Sequence, residues 1–229
     1  MPPLAWRQVR PPACSAAEAL ARSVDLLTRG ECPALVVHTV DPPAITVGRA
    51  QLGDVDTAAA AREGLEVIAR PSGGGPVLWD DDLIAMDVIL PAGHPLLPAD
   101  VVDAYRWVGE AVAAALGHLG IEGARAVAPD EARAWPRGEA SGLCFGGLSP
   151  WEVVVDDRKV LGLSQVRRQA GGIVQIGVPM HLDAARLARA VGAPVGAADD
   201  LAARTAGIAD LAPAVTREQA TDALVSALF

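Results

Sequence analysis

Aromatic side chains are scarce: two Phe, one Tyr and five Trp make up 3% of the 229 residues. A core of this size must therefore be built from Val, Leu, Ile and Ala. Basic residues are few as well. Nineteen Lys and Arg stand against 28 Asp and Glu, for a formal net charge of −9. That balance argues against a nucleic-acid coat or an anionic-membrane binder as the main role. Only three cysteines occur, Cys14, Cys32 and Cys144, odd in number and far apart. They suit a reducing compartment better than a disulfide framework, and no metal-type spacing joins them. No run approaches the roughly 18 apolar residues of a membrane span. The opening Met1-Pro2-Pro3-Leu4-Ala5-Trp6-Arg7 lacks the basic start and apolar run of a secretory leader. The expectation is a cytoplasmic protein without nucleic-acid or membrane partners and without a metal site. What is plentiful is apolar residues, 51% against 21% charged. That composition excludes a disordered chain and suffices for one large domain, residues 1–229.

The pattern along the chain mixes helices with hairpins. Ser15-Ala16-Ala17-Glu18 reads as a capping box, with Leu20, Val24 and Leu27 on one face and Gly30 as the stop. Strands are expected at Ala34 to Val40, Ala44 to Gly48, Glu66 to Arg70, Pro76 to Trp79 and Leu83 to Leu90, with a short helix at Asp54 to Glu63. Val101, Tyr105, Val108, Val112, Leu116 and Leu119 recur with helical period within Ala99 to Leu119. Trp151 to Val155 and Arg158 to Val166 read as a hairpin turning at Asp156-Asp157. Ile173 to Leu182 is a further strand, and Leu182 to Val191 and Thr216 to Leu228 are helices. Ala124 to Gly142 and Gly192 to Asp200 read as loops. Hairpins among helices favour an α+β domain with a mixed, largely antiparallel sheet over a doubly wound parallel one.

Four segments carry chemically useful residues. Arg70-Pro71-Ser72-Gly73-Gly74-Gly75-Pro76 places three glycines after an arginine. It serves either as a flexible turn or as an anion-binding concavity beside a bidentate cation. It is neither a Walker A loop nor a dinucleotide loop. In Arg158-Lys159-Val160-Leu161-Gly162-Leu163, strand alternation puts Lys159 on the face of Leu161 and Leu163. An inward lysine needs an anionic partner, whereas one at a hairpin end reaches water. Cys144 stands among glycines in Ser141 to Gly147, as a nucleophile or as a small buried hydrophobe. Gly48-Arg49-Ala50-Gln51 closes a strand with a cation.

In this order the segments resemble the lipoate–protein ligase and octanoyltransferase family, relatives of the biotin protein ligases. The family's Gly-Arg-x-Gln strand end is matched by Gly48 to Gln51. Its Arg-x-Ser/Thr-Gly-Gly-Gly/Arg-x-Val loop is matched by Arg70 to Val77, and the Asp that follows by Asp80. Its lysine hairpin is matched by Asp157 to Arg167, and its late Gln/His-His-Gly strand by Gln175-Ile176-Gly177. The resemblance implies a biotin/lipoate ligase catalytic-domain fold with a tunnel for a fatty-acid-like chain. It implies that Arg49, Arg70, Ser72, Gly73, Gly74, Gly75, Val77, Asp80, Gly162, Ser164 and Gly177 bind acyl group or nucleotide, and that Lys159 sits at the reacting carbonyl.

Two branches of the family bear on the activity. In one, ATP and Mg²⁺ activate lipoate as lipoyl-AMP before attachment to a lysine of a lipoyl-domain acceptor; this is the first expectation. In the other, a cysteine takes octanoate from acyl carrier protein as a thioester. Cys144-Phe145 followed by Ser149 and Trp151 resembles that branch. Trp79 and Ile176 stand where the family carries His, which points to a different acyl substrate or to a non-catalytic acyl-binding relative. The expectation is a catalytic domain without the C-terminal accessory domain of many bacterial ligases, so the ATP reading calls for a separate accessory subunit or for transfer of a preformed adenylate.

Overall fold

The computed structural model describes residues 6–229; the leaderless start read from the sequence falls largely on residues 1–5, outside that range. In chain order the elements begin with β1 (Arg7–Val9), α1 (Ala16–Thr28), β2 (Ala34–His38), β3 (Ala44–Gly48), a 3-10 helix (Arg49–Asp54) and α2 (Thr57–Arg62). There follow β4 (Glu66–Arg70), β5 (Val77–Trp79), β6 (Leu83–Pro91), α3 (Asp103–His118), β7 (Arg125–Ala126) and α4 (Pro129–Ala134). The last third holds β8 (Val153–Val155), β9 (Arg158–Lys159), β10 (Gly162–Arg168), β11 (Gly171–Pro179), α5 (Ala184–Val191), α6 (Ala197–Arg204), α7 (Ile208–Leu211) and α8 (Arg217–Leu228).

Local chemistry sets the helix starts. Ser15 Oγ accepts from Glu18 N while the Glu18 carboxylate accepts from Ser15 N, and Thr216 with Gln219 repeats the device at α8. Each such cap satisfies two orphan donors. At α3 the Asp100 carboxylate accepts from Val102 N (2.7 Å) and Asp103 N (3.1 Å). The helix therefore begins at Asp103 rather than Ala99, and Val101 is 47% exposed instead of joining the core.

The main sheet has the order β1-β2-β6-β11-β10. Its β1–β2 pair is parallel and every other pair antiparallel. Alternation divides β6 cleanly. Ile84, Met86, Val88 and Leu90 join Val108, Val112 and Leu116 of α3 and Leu224 of α8 in one core. Each fully buried side chain of this kind contributes about 1.5–3 kcal/mol. The opposite face of β6 presents Leu83 and Ala85 to Leu20 of α1, to Ile45 and Val47 of β3 and to Phe145. A small second sheet, β4-β3-β5, lies on that side, and a third is β7-β8-β9.

The expected long hairpin splits. Asp156 and Asp157 take φ of 47° and 59°, the left-handed pair a two-residue turn requires. β8 and β9 share only the pairs Val154–Lys159 and Val155–Arg158. The chain then crosses through the buried Val160 and Leu161 and joins β11 as β10. The stretch read as a loop from Ala124 contains β7 and α4, the latter started by Pro129 in its first turn. The stretch from Gly192 already opens α6, and β11 ends at Pro179, short of Leu182. The three-residue edge strand β1 carries too little alternation to signal itself.

Candidate active site

The glycine-rich loop follows β4 and is held by its own arginine. Arg70, 5% exposed, donates from Nη1 to Thr46 O (2.8 Å), from Nε and Nη2 to Gly73 O (3.2 and 2.9 Å) and from Nη2 to Gly75 O (2.9 Å). Its fork closes the loop onto β3, and the same side chain lines the cavity beside the loop. Burial pulls Arg70 below the usual guanidinium value, and the charge of the nearby Cys144 works the other way. Gly74 accepts from Gly48 N (2.9 Å) and takes φ of +102°, a conformation that favours glycine. Among the described residues the N–H groups of Gly73, Gly74 and Gly75 have no acceptor.

The segment around Cys144 docks on this loop. Cys144 N donates to Pro76 O (3.2 Å), and a β-carbon on Gly75 would run into Gly142 O. Across the segment stands Lys159, the only lysine in the chain and 3% exposed. Its Nζ donates to Cys144 O (2.7 Å), Gly147 O (3.0 Å) and Glu152 Oε2 (2.7 Å). Three donors meet three acceptors, so the ammonium is satisfied without a ligand. Glu152, also buried, accepts from Ser149 N (2.7 Å) and Leu163 N (2.9 Å). Burial pushes its carboxyl above the usual range, and Lys159 with the two backbone donors pulls it back.

These groups line a cavity of about 340 Å³ between the main sheet and the two loops. Arg70, Gly73, Gly74, Gly75, Val77, Cys144, Lys159, Gly162, Ser164 and Gly177 all contribute to its wall. Gly162 and Gly177 leave the space over the sheet that Phe145 and Cys144 fill: Cys144 Sγ is 3.5 Å from where a Gly162 β-carbon would stand. Ser72 lies behind the wall, donating to Gln175 Oε1 (2.5 Å) and accepting from Ser164 Oγ (3.1 Å). Two expected residues are elsewhere. Arg49 is exposed on the 3-10 helix, because the chain turns away once Gly48 is tied to the loop. Asp80 sits in the turn after β5, where it accepts from Asp82 N (3.0 Å) and burial raises its carboxyl.

Three functional candidates escaped sequence reasoning. Glu152 precedes an all-valine strand, and a carboxylate facing a hairpin lysine was the available signal. Asp87 and His38 interrupt two apolar strands; His38 Nε2 lies 3.1 Å from Asp87 Oδ2, and Asp87 lines the cavity. A second cavity of about 530 Å³ shares Ser141, Gly142, Gly147, Leu148 and Ser149 with the first and adds Arg133, Trp135 and Arg137. Among the described residues no group of three or more His, Cys, Asp or Glu is placed to hold a metal, and no helix is long and apolar enough to cross a membrane.

Comparison with known proteins adds to this geometry. The family description "Lipoyl protein ligase A/B catalytic domain" matches residues 14–229. An octanoyltransferase LipM from an Exiguobacterium species is 34% identical over 186 residues, 78% of this chain and 67% of its own. Another, from Geobacillus kaustophilus, is 34% identical over 179 residues, 75% and 64% of the two chains. The chain thus spans about two thirds of the length of these relatives. A structure of lipoate-protein ligase A bound with ATP has a TM-score of 0.72 at 18% identity, covering 97% of this chain and 83% of that one. The bi-partite lipoate protein ligase of Thermoplasma acidophilum has a TM-score of 0.70 at 20% identity, covering 97% and 81%. Likeness at that identity is one of fold, and it is the α+β fold the sequence led us to expect.

Proposed function

The chain belongs to the lipoyl protein ligase A/B catalytic-domain family, and within it we propose an acyltransferase that carries octanoyl or lipoyl on Cys144. The donor is a thioester such as acyl carrier protein supplies, and the acceptor is a lysine of a lipoyl domain. The observation that carries this reading is Cys144 itself. Its side chain stands in the cavity wall over Gly162, and its carbonyl is pinned by Lys159. The octanoyltransferase relatives support it.

Two transfers follow. The Cys144 thiolate attacks the donor carbonyl; a new C–S bond forms, the carrier C–S bond breaks, and the departing thiol takes the proton Cys144 lost. The neutral amine of the acceptor lysine then attacks the acyl-enzyme. A C–N bond forms, the Cys144 C–S bond breaks, and the amine proton returns to sulfur. Each attack builds negative charge on the carbonyl oxygen. The acceptor-free N–H groups of Gly73 to Gly75, packed on the Cys144 segment, are the donors available to it. Lys159 acts first as a positioning residue, since its protons hold Cys144, Gly147 and Glu152. Arg137, unpaired among the described residues, stands in the second cavity where a carrier arm with one phosphate would pass.

The ATP-dependent reading fits these residues less well. Of the two cations nearest the acyl cavity, Lys159 has spent all three of its donors on the protein and Arg70 four of its five, so neither is free to grip a triphosphate. No step is therefore assigned to ATP or Mg²⁺. The test incubates an apo lipoyl domain with the full chain and either octanoyl-acyl carrier protein alone or lipoate, ATP and Mg²⁺. Octanoylation without ATP supports the transferase. Lipoylation that requires ATP, undiminished in Cys144→Ala, contradicts it.

A further inference from the structure

The cavity has a polar end that acyl transfer does not use. Asp87 of β6 and Gln175 of β11 are opposed in register, so their side chains leave the sheet on one face. Both line the cavity. Their neighbours Ala85, Leu83, Gly177 and Gly162 on that face offer no polar side chain, and its other polar groups, Ser164 and His38, are turned to Ser72 with Gln175 and to Asp87. Asp87 is 2% exposed, and its Oδ2 faces Nε2 of His38, itself 1% exposed and 3.4 Å from Ser23 Oγ. Among the described residues Asp87 Oδ1 has no hydrogen-bond partner. Gln175 Oε1 accepts from Ser72 Oγ (2.5 Å) and Ser164 Oγ (3.3 Å), and its amide nitrogen has no partner.

One acceptor and one donor therefore stand side by side in the wall. Against a plain hydrocarbon chain both would lose water without replacement. A carboxylate on the ligand would be repelled by Asp87, and an ammonium would meet the wrong end of the Gln175 amide. A hydroxyl satisfies both, donating to Asp87 Oδ1 and accepting from Gln175 Nε2.

Sheet geometry places this pair along the chain of the substrate. Cys144 Sγ lies over Gly162; Gly162 pairs with Gly177, and Gly177 with Ala85, two residues before Asp87. Two strands across and two residues along put Asp87 about 12 Å from Gly162, a span that an extended medium-length acyl chain covers. We infer that the acyl group this site prefers carries a hydroxyl near its far end, read by Asp87 and Gln175, with His38 holding Asp87 in place. This rests on the acyl-transfer reading and names its substrate class.

The test compares octanoyl- and 8-hydroxyoctanoyl-pantetheine as donors and reads kcat/KM from release of the pantetheine thiol. The wild type should favour the hydroxylated chain about tenfold or more. Asp87→Leu should reverse that ratio. Gln175→Leu, which leaves the His38–Asp87 pair intact, should reduce it even if the first variant does not fold. A wild-type preference for octanoyl, or a ratio unmoved in both variants, overturns the inference, and an ordered water then fills the pair. If neither thioester reacts, the transfer reading fails by itself. Binding of the two free acids to the full chain, followed by tryptophan fluorescence, then decides the subsite. Tighter binding of the hydroxylated acid supports it, and equal or weaker binding overturns it.

Discussion

The Lys159 ammonium donates a 2.7 Å hydrogen bond to the backbone carbonyl of Cys144. The chain's one lysine thereby fixes the segment that carries its one cavity-lining cysteine. Positioning of this kind is sensitive, since a displacement of about 1 Å at a reacting group costs about 10²-fold in rate.

Lys159→Ala is expected to lower transfer about 10²–10³-fold. Lys159→Arg should restore little, because a planar guanidinium cannot reproduce three converging donors in a site with 3% exposure. Steady-state rates of lipoyl-domain acylation check both. Activity within twofold of wild type in the arginine variant would contradict the positioning role.

The Glu152–Lys159 pair gives a separate prediction about stability. Glu152→Gln leaves a buried ammonium without its counter-charge and should cost about 3–5 kcal/mol. Replacing both partners with apolar or neutral residues, Lys159→Met with Glu152→Gln, should recover most of that loss while transfer stays low. Urea unfolding of the single and the double variant measures it, and equal loss in both would contradict the coupling.

Gly75→Ala should separate the two loops. The added β-carbon would be driven into the Gly142 backbone, which cannot yield as a flexible side chain would. Gly73 has open space at the corresponding position, so Gly73→Ala should leave the unfolding midpoint unchanged. A stable, fully active Gly75→Ala variant would show that the loops are not docked as described.

Much of this arrangement was readable in the amino-acid order, and the misses share a cause. Capping boxes at Ser15 and Thr216 and the Asp156-Asp157 turn are local and emerged as expected. The glycine loop and Lys159 were singled out, but what each donor does depends on partners far along the chain. That Arg70 also ties its loop to β3 depends on the carbonyls of Thr46, Gly73 and Gly75, which no reading of the loop by itself supplies. Asp87 sits in a strand whose neighbours are apolar, and only the pairing with β11 sets it beside Gln175. Register between distant strands is not encoded in any short window.

The single tyrosine offers a pH test of the packing around α3. Burial, with the Glu152 charge behind it, pushes Tyr105 up to about 12 from its ordinary 10. The folded chain then holds its phenolic proton through a range where the unfolded chain loses it. Stability should fall as pH rises from about 10 to about 12. Tyrosinate absorbance should show a folded midpoint near 12 and a denatured one near 10. A folded midpoint near 10 would mean that the ring is in water.

The most direct measurement is the intact mass of the full chain after brief exposure to octanoyl-acyl carrier protein without an acceptor. One added octanoyl group, released by hydroxylamine and absent in Cys144→Ala, is the predicted result. An unmodified wild-type chain that nonetheless octanoylates the lipoyl domain, or an adduct that persists in Cys144→Ala, would contradict a Cys144 thioester.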